Sequence, residues 1–175
     1  MQRLIKVGSC HILFNIQHST FRRSMPHDIR PISAAETRPL RHQVLRPHQR
    51  PEELVYAGDD HPLAFHAGAF SAGQLVGIAT VSPESCAAAP GRAGWRLRGM
   101  AALPTFQRRG YGAALIAACV AHIRGHGGEV LWCNGRTSAM TFYTAQGFAP
   151  YGDEFDTPGT GPHYVFWRDV AAPVM

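Results

Sequence analysis

The connection between an apolar strand-like segment, residues 97–103, and an apolar helix pattern that starts near Ala113 constrains this chain more than any other feature. The connection, residues 107–112, has the sequence QRRGYG and so combines two arginines, two glycines and the start of a helix. A bound phosphate needs unpaired backbone N–H groups, no Cβ in the way and positive charge nearby. The segment therefore predicts an enzyme that holds a phosphate-bearing cofactor.

Two common phosphate-binding motifs do not match this segment. Gly110-Tyr111-Gly112 continues as Ala113-Ala114-Leu115, which lacks the third glycine of the dinucleotide fingerprint, and no Gly-Lys-Ser/Thr of a P-loop follows. The alternative is a tight strand-to-helix turn with solvated arginines. Pro104, which ends the strand, and the many donors after it favour a binding loop over a simple turn.

A second motif follows at a suitable spacing along the chain. It runs from Ala139 to Phe148 with the sequence AMTFYTAQGF, after another apolar strand-like segment at residues 129–134. Together the two motifs resemble those of the GNAT superfamily of N-acetyltransferases, namely Gln/Arg-x-x-Gly-x-Gly/Ala and Ala-x-x-Phe-Tyr-x-x-x-Gly-Phe. The resemblance, to a small bacterial single-domain branch, extends from about Asp28 to the C-terminus and is strongest over residues 97–148.

The resemblance implies an acyl-CoA N-acyltransferase-like fold of the α/β class, with a mixed, largely antiparallel central sheet flanked by helices. The order of helical and strand-like patterns agrees with such a sandwich. Strands are predicted at residues 28–32, 63–70, 75–81, 95–102, 129–134, 148–151 and 164–169, and helices from a capping box at Ser33 and Glu36, over residues 112–125, and from Thr137 or Ser138 to Gly147. Pro39 either kinks the first helix or moves its start, and a Gly/Pro-rich loop is expected between the last two strands.

The composition is that of a single domain with a distinct leading segment. The 175 residues are 45% hydrophobic, which is enough for one core, and no run approaches the ~18 apolar residues of a membrane-spanning helix. Residues 1–24 hold four basic residues and no acidic one, whereas the other 13 basic and 12 acidic residues nearly cancel. We assign residues 25–175 to the domain and expect residues 1–24 to be a disordered or loosely packed extension, or to precede a working start at Met25. A targeting peptide is disfavoured, because Lys6 and His11 interrupt its apolar part.

The cysteines and histidines give no sign of a metal site or a disulfide framework. Cys10, Cys86, Cys119 and Cys133 are scattered without a Cys-x-x-Cys pair, as free or buried thiols in a reducing compartment are. None of the ten histidines forms a His-Glu-x-x-His or His-x-His cluster. We predict a cytoplasmic protein without a bound metal.

For the cofactor, the resemblance implies an acetyl-CoA site centred on the first motif. The loop N–H groups would hold the pyrophosphate, Arg108 or Arg109 would add positive charge near the ribose phosphate, and the edge of the preceding strand would pair with the pantetheine amides. A backbone N–H near Met100 or Ala101 would stabilise the oxyanion of the tetrahedral intermediate. Gly99 in this strand suits a bulge or a close backbone approach. The residues expected to contact acetyl-CoA are Met100, Ala101, Ala102, Gln107, Arg108, Arg109, Gly110, Tyr111, Gly112 and Asn134.

Asn134 enters this set because the chain departs from the family's pattern. Many relatives carry Asn seven residues before the Tyr of the second motif, where it touches the cofactor, and here that position is Arg136. Asn134, two residues earlier, is expected to take over the contact. Its alternative role is that of a turn residue leading into a helix.

Acetyl transfer to an amine needs a proton donor for the departing thiolate and a base for the attacking amine. The resemblance assigns the donor to Tyr143, whose alternative role is that of an ordinary core aromatic residue. An alkyl amine with a pKa of ~10.4 is mostly protonated at neutral pH. The late loop, with its Glu-Phe…Gly-x-x-Pro-His pattern, resembles the same small branch and borders the acceptor pocket there. Candidates for the base are Glu154, Asp156 and His163 of this loop and, less strongly, His66 and Arg46.

The predicted function is transfer of an acetyl group from acetyl-CoA to a primary amine of a small molecule or peptide, by direct attack in a ternary complex. Acidic residues such as Glu154 hint at a cationic acceptor. The alternatives are a non-catalytic acyl-CoA-binding module and a nucleic-acid-binding protein, the latter suggested by the net charge of +5. The nearly neutral body disfavours nucleic acid. We expect no membrane partner, and the sequence leaves the oligomeric state open, a homodimer included.

Overall fold

A computed structural model describes residues 27–170, so the predicted extension at residues 1–24 and the alternative start at Met25 lie outside the described residues. Seven strands and three α-helices occur within the described range. In chain order they are β1 (Asp28–Pro31), α1 (Ala34–Leu40), β2 (Phe65–Ser71), β3 (Gln74–Pro83), β4 (Gly94–Ala102), α2 (Tyr111–Gly125), β5 (Val130–Arg136), α3 (Met140–Ala145), β6 (Ala149–Thr157) and β7 (Gly161–Asp169). Short 3-10 turns are formed by Pro51–Glu53, Pro104–Phe106 and Thr137–Ala139.

The strands form one sheet in the order β1-β2-β3-β4-β5-β7-β6. Each neighbouring pair of these described strands is antiparallel except β4 and β5, which are parallel. The connection between the parallel strands passes through α2, since such a pair requires a crossover. The predicted mixed, largely antiparallel sheet flanked by helices is therefore confirmed.

The first helix begins where its capping box predicts. The Ser33 hydroxyl accepts a hydrogen bond from the Glu36 N–H at 3.3 Å, and the Glu36 carboxylate accepts one from the Ser33 N–H at 2.7 Å. Pro39 does not move this start. It removes one intrahelical donor, and α1 gives way shortly afterwards to a π-helical turn, Arg41–Leu45. The turn directs Arg41 into the interior, where it is fully buried.

Helices α1 and α2 cover opposite faces of the sheet. A Cβ at Gly77 of β3 would contact the Leu115 side chain of α2, so this position faces α2. Thr80, three residues further along the strand, faces the other way. Its hydroxyl accepts a hydrogen bond at 3.0 Å from Arg41, in the π-helical turn that extends α1. We call the two sides of the sheet the α1 face and the α2 face.

The main core lies between the sheet and α2, with α3 packed beside α2 through Phe142 and Gly112. The buried side chains of α2 are Leu115, Ile116, Cys119, Val120 and Ile123. His122 of the same helix is only partly buried, because it lies at the margin of the core and stacks on Phe65 with ring centroids 4.6 Å apart.

The predicted loop between the last two strands is wrong, because residues 152–163 are strand on both sides of a tight turn. Gly152 takes a φ of +72° at an irregularity after Tyr151, and pairing resumes with Phe155 opposite His163. The glycines and prolines thus serve a bulge and a turn, while β7 pairs with the β6 backbone on either side of the bulge. The base candidates of this region lie on strands: Glu154 and Asp156 on β6, and His163 on β7.

The three cysteines within residues 27–170, Cys86, Cys119 and Cys133, are free and buried. The same range contains no group of three or more His, Cys, Asp or Glu side chains that could hold a metal ion. No helix of the described chain combines the length and apolar character needed to cross a bilayer.

Candidate active site

The parallel strands β4 and β5 pair over only part of their length. Their register ends at Arg96 opposite Trp132, and beyond this point the strands separate. A cleft of about 930 Å³ opens there, lined by residues 96–102 of β4 and residues 133–136 of β5. Because this edge of β4 has no strand partner within residues 27–170, its backbone N–H and C=O groups are available to an extended ligand.

A β-bulge bends β4 beside the cleft. Between two paired positions, β3 advances by two residues while β4 advances by three, from Arg98 to Ala101. Gly99 accommodates the extra residue with a φ of +57°, a left-handed conformation that glycine adopts readily. A Cβ at Gly99 would also come within 2.9 Å of Nε of Arg41. The bulge that the sequence suggested is therefore confirmed, and the close neighbour of Gly99 is the Arg41 side chain.

The first sequence motif forms the wall of the cleft at the N-terminus of α2. Arg108 and Gly110 have φ values of +56° and +88°, and Gly110 is the N-cap, which has no side-chain cap. In the described chain the N–H groups of residues 108–110 donate no hydrogen bond, and the first N–H groups of α2 have no intrahelical partner. The Gln107 amide donates to the Ala102 carbonyl at 3.2 Å and ties the loop to β4. These donors and the helix dipole form a cradle suited to an anion.

Most of the predicted cofactor residues line the cleft. They are Met100, Ala101, Ala102, Gln107, Arg108, Gly110, Gly112 and Asn134. The side chains of Arg109 and Tyr111 do not reach it and pack against neighbouring aromatic rings instead. The Arg109 guanidinium lies 5.5 Å from the ring centroid of Phe106, and Tyr111 meets Phe106 and His27 edge to face.

Tyr143 of α3 lines the cleft, and aromatic rings enclose its own ring. Phe166 stacks on it with centroids 4.8 Å apart, and Phe148 lies edge to face at 5.4 Å. Gly135 allows the close approach to β5, because a Cβ there would come within 2.5 Å of the Tyr143 ring. Burial raises the pKa of Tyr143 well above its usual value, and the neighbouring Cys133 raises it further. The hydroxyl is therefore protonated at neutral pH.

Cys133 lines the same part of the cleft. Burial raises the pKa of its thiol to about 12, although Tyr143 and Arg96 oppose this effect. The thiol is therefore protonated at neutral pH and a poor nucleophile, since the thiolate is the reactive form.

We call β6 and β7 together the closing hairpin. Of the three base candidates on this hairpin, His163 is the one that lines the cleft. It is buried, its ring stacks on Phe155 with centroids 6.0 Å apart, and its Nδ1 lies 2.7 Å from the Gly161 carbonyl oxygen. Because a carbonyl can only accept, Nδ1 carries the proton in this contact. Nε2 of the neutral ring then keeps a lone pair that can accept a proton.

His163 and Tyr143 belong to opposite faces of the sheet. Arg98 pairs with Thr80 and so lies on the α1 face, and Arg96, two residues earlier, shares that face. On β5, Trp132 lies opposite Arg96 and therefore shares its face. Arg136, four residues further along β5, lies on this face too, and so does His163, which pairs with Arg136. Tyr143 instead contacts Gly135, whose position alternates to the α2 face. The cleft therefore has a candidate base, His163, on the α1 face and a candidate proton donor, Tyr143, on the α2 face.

The structure does not bring the remaining hairpin candidates to the cleft. Glu154 is exposed, and its carboxylate accepts a hydrogen bond from the Thr137 hydroxyl at 2.5 Å. Asp156 is also exposed and lies outside the lining. His66 is buried in the interior with both ring nitrogens engaged, whereas Arg46 does line the cleft.

Two lining arginines, Arg96 and Arg98, were not singled out from the sequence. They alternate along β4 with the buried Trp95 and Leu97, so that one side of the strand is basic and the other apolar. This period-two alternation within residues 95–98 was the signal that could have identified them.

A sheet whose parallel strands separate beside a helix N-terminus is the architecture of acyl-CoA N-acyltransferase-like proteins, and solved structures share this fold. Ard1 from Thermoplasma volcanium superposes with a TM-score of 0.68 at 20% identity, covering 85% of this chain and 100% of that one. An aminoglycoside 6'-N-acetyltransferase complexed with coenzyme A gives a TM-score of 0.63 at 13% identity, covering 85% and 99%.

The sequence comparisons show the family. The family model described as acetyltransferase (GNAT) family matches residues 27–148. The uncharacterized N-acetyltransferase YitI of Bacillus subtilis (strain 168) is 35% identical over 143 residues, which cover 82% of this chain and 96% of YitI. The chain therefore belongs to the GNAT acetyltransferase family, which confirms the resemblance seen in its two motifs.

Proposed function

We propose that this protein is an N-acetyltransferase that moves the acetyl group of acetyl-CoA to a primary amine of a small molecule or peptide. The observation that carries the proposal is the cleft between β4 and β5, which joins the unpaired donors of residues 108–110 to the protonated Tyr143 hydroxyl. Membership of the GNAT family supports the same chemistry.

The residues of the cleft fit a coenzyme A thioester, which supplies the activated acetyl group. The N–H groups of residues 108–112, those of Arg109 and Tyr111 included, would hold the pyrophosphate. Arg108 lines the cleft and adds positive charge at this end. The unpaired edge of β4 would accept the pantetheine amides, and Asn134 offers an amide from the opposite strand.

The two proton transfers of the reaction take place on opposite faces of the sheet. As the amine nitrogen bonds to the thioester carbonyl carbon and the carbon–sulfur bond breaks, Nε2 of His163 takes the amine proton. The Tyr143 hydroxyl, on the other face, gives its proton to the departing sulfur. A backbone N–H of Met100 or Ala101 would stabilise the oxyanion formed between these steps.

Cys133 supports direct attack over an acyl-enzyme intermediate. It is the cysteine of the described chain that lines the cleft, and its pKa of about 12 keeps it as a thiol at neutral pH. A covalent route through this side chain would require the thiolate. Transfer within a ternary complex needs no such group.

The full chain is expected to bind acetyl-CoA saturably and to release coenzyme A when an amine is added. Binding is measured by calorimetry, and the freed thiol by a thiol-reactive dye, against amino acids, polyamines, aminoglycosides and peptide N-termini. Binding without thiol release for any amine would instead indicate a non-catalytic acyl-CoA-binding module. A folded sample that binds no acetyl-CoA would overturn the proposal.

Replacing Gly110 with Ala is expected to raise the Kd for coenzyme A by about tenfold or more. The φ of +88° is strained for a residue with a Cβ, by about 1–2 kcal/mol, and the new Cβ would lie 2.9 Å from the His27 ring. We expect the loop to relieve this strain by moving its N–H groups away from the positions that an anion needs, which weakens binding by a similar free energy. The matched control is Gly91→Ala, because Gly91 has a φ of +78° but open space around it and lies outside the cleft. Equal calorimetric Kd values for the two variants would contradict the proposed cradle.

A further inference from the structure

The side of the cleft on the α1 face is strongly basic. Arg96, Arg98 and Arg136 lie on this face, and Arg46 reaches the cleft from the end of the π-helical turn. By contrast, no Asp or Glu occurs among the described residues that line the cleft.

Glu84 compensates only part of this charge. Its carboxylate accepts hydrogen bonds from Arg96 at 2.7 Å and from Arg98 at 2.6 Å. Burial raises the pKa of Glu84, but these two hydrogen bonds outweigh it and the net shift is downward, so the carboxylate stays ionised. One carboxylate charge therefore neutralises only one of the two guanidinium charges of Arg96 and Arg98. Arg46 and Arg136 form no ion pair within residues 27–170.

Arg96 is held in place yet retains an unused donor. Its guanidinium lies 4.3 Å from the ring centroid of Trp132 and is tied to Glu84. Its Nε is buried and has no hydrogen-bond partner among the described residues. The Arg96 side chain is still 20% exposed, and a guanidinium fixed in this way matches the geometry of carboxylate and phosphate oxygens.

We propose that the acceptor amine also carries a carboxylate or phosphate group, and that Arg96, Arg98 and Arg136 bind this anion on the α1 face of the cleft. The inference rests on the proposed function and deepens it. The anion would hold the amine on the same face as His163. A polyamine or aminoglycoside would instead bring positive charge to a surface that already has an excess of it.

This acceptor differs in charge from the one that Glu154 suggested in the sequence. Glu154 lies outside the cleft lining and binds Thr137, so it does not offset the arginines. The fold therefore places the arginines in the cleft and Glu154 outside it, which the composition alone does not reveal.

The test compares matched acceptors with the full chain and acetyl-CoA. An amino acid is paired with its carboxamide, phosphoethanolamine is paired with ethanolamine, and a polyamine is added. Thiol release is compared at equal concentrations of unprotonated amine. We expect kcat/KM to be about 10- to 100-fold higher for the anionic member, as expected for hydrogen bonds between charged groups. Whichever of the two pairs responds more strongly distinguishes a carboxylate from a phosphate.

Arg136→Gln should reduce this preference for the anionic member about tenfold, through KM rather than kcat. Arg136 is exposed and has no ion-pair partner in the described chain, so the variant is expected to fold. Arg98→Gln provides a second variant. Arg50→Gln is the control, since Arg50 is an exposed arginine outside the cleft and should leave the preference unchanged.

Preference for neutral or cationic acceptors would overturn this inference while leaving the proposed function standing. The inference would also fail if acetyl-CoA binds but no member of the panel releases thiol, or if Arg136→Gln and Arg98→Gln both behave like Arg50→Gln. Failure of acetyl-CoA binding is a separate result, and it would remove the proposed function itself.

Discussion

Replacing Tyr143 with Phe should lower kcat for acetyl transfer by about 10²- to 10⁴-fold and leave the Kd for acetyl-CoA almost unchanged. The substitution removes only the hydroxyl, so the ring keeps its stacking on Phe166 and its place beside Gly135. Burial raises the pKa of this hydroxyl, so the enzyme loses a donor that is protonated at neutral pH. Thiol release gives kcat, and calorimetry gives Kd.

Tyr151→Phe is the matched control for this prediction. Tyr151 is 45% exposed on β6 and lies outside the cleft, so its hydroxyl should have no effect on turnover. If Tyr143→Phe turned over at the rate of Tyr151→Phe, Tyr143 would be an ordinary core aromatic residue. The proton for the thiolate would then have to come from another group.

Replacing Asp59 with Ala should destabilise the domain by about 3–5 kcal/mol. Arg41 is fully buried and donates hydrogen bonds to both Asp59 carboxylate oxygens, at 2.5 and 2.8 Å. The variant leaves this guanidinium charge buried without its anion. For a domain of this size the loss corresponds to a fall in Tm of about 6–20 °C. Thermal and urea denaturation of the full chain measure it.

The effect of Asp59→Ala should fade in acid. Burial raises the pKa of Asp59, but hydrogen bonds from the Arg41 side chain and the Tyr56 N–H outweigh it, so the pKa in the folded state is below its usual value of 3.8. Ionised Asp59 therefore contributes fully above pH 3.8, and the contribution is lost as the pH falls through the lower folded-state pKa. The Tm difference between wild type and variant should shrink over this range.

The control for the stability prediction is Asp28→Asn. Asp28 forms an ion pair with Arg30 at 2.6 Å, but both side chains are about half exposed, and such pairs contribute little to stability. A fall in Tm as large as that of Asp59→Ala would show that burial does not govern the strength of these pairs.

The buried ion pair between Arg41 and Asp59 also lies near the cleft, because the Arg41 guanidinium is 4.1 Å from the ring centroid of Tyr56, a lining residue.

Local patterns predicted much of the fold. The capping box placed the start of α1 because its two hydrogen bonds join residues only three apart. The loop at residues 107–112 was recognisable because consecutive residues supply its glycines, its arginines and the start of α2. The closing hairpin was misjudged, because a glycine within a bulged strand and a glycine in a loop look alike until the pairing partner is known.

The sequence alone determined the family, the order of helices and strands, and which loop offers its backbone to an anion, because each depends on residues that are close along the chain. Only the tertiary structure decided which side chains share the cleft. The cleft forms where β4 and β5 separate, and the residues that line it come from distant segments of the chain. Because side chains alternate along a strand, each of them lies on one face of the sheet. The tertiary structure placed Arg96, Arg98 and His163 on the α1 face of the cleft, Tyr143 on the α2 face, and Glu154 outside the cleft. Strand pairing between distant segments sets these positions, and spacing along the chain does not reveal them.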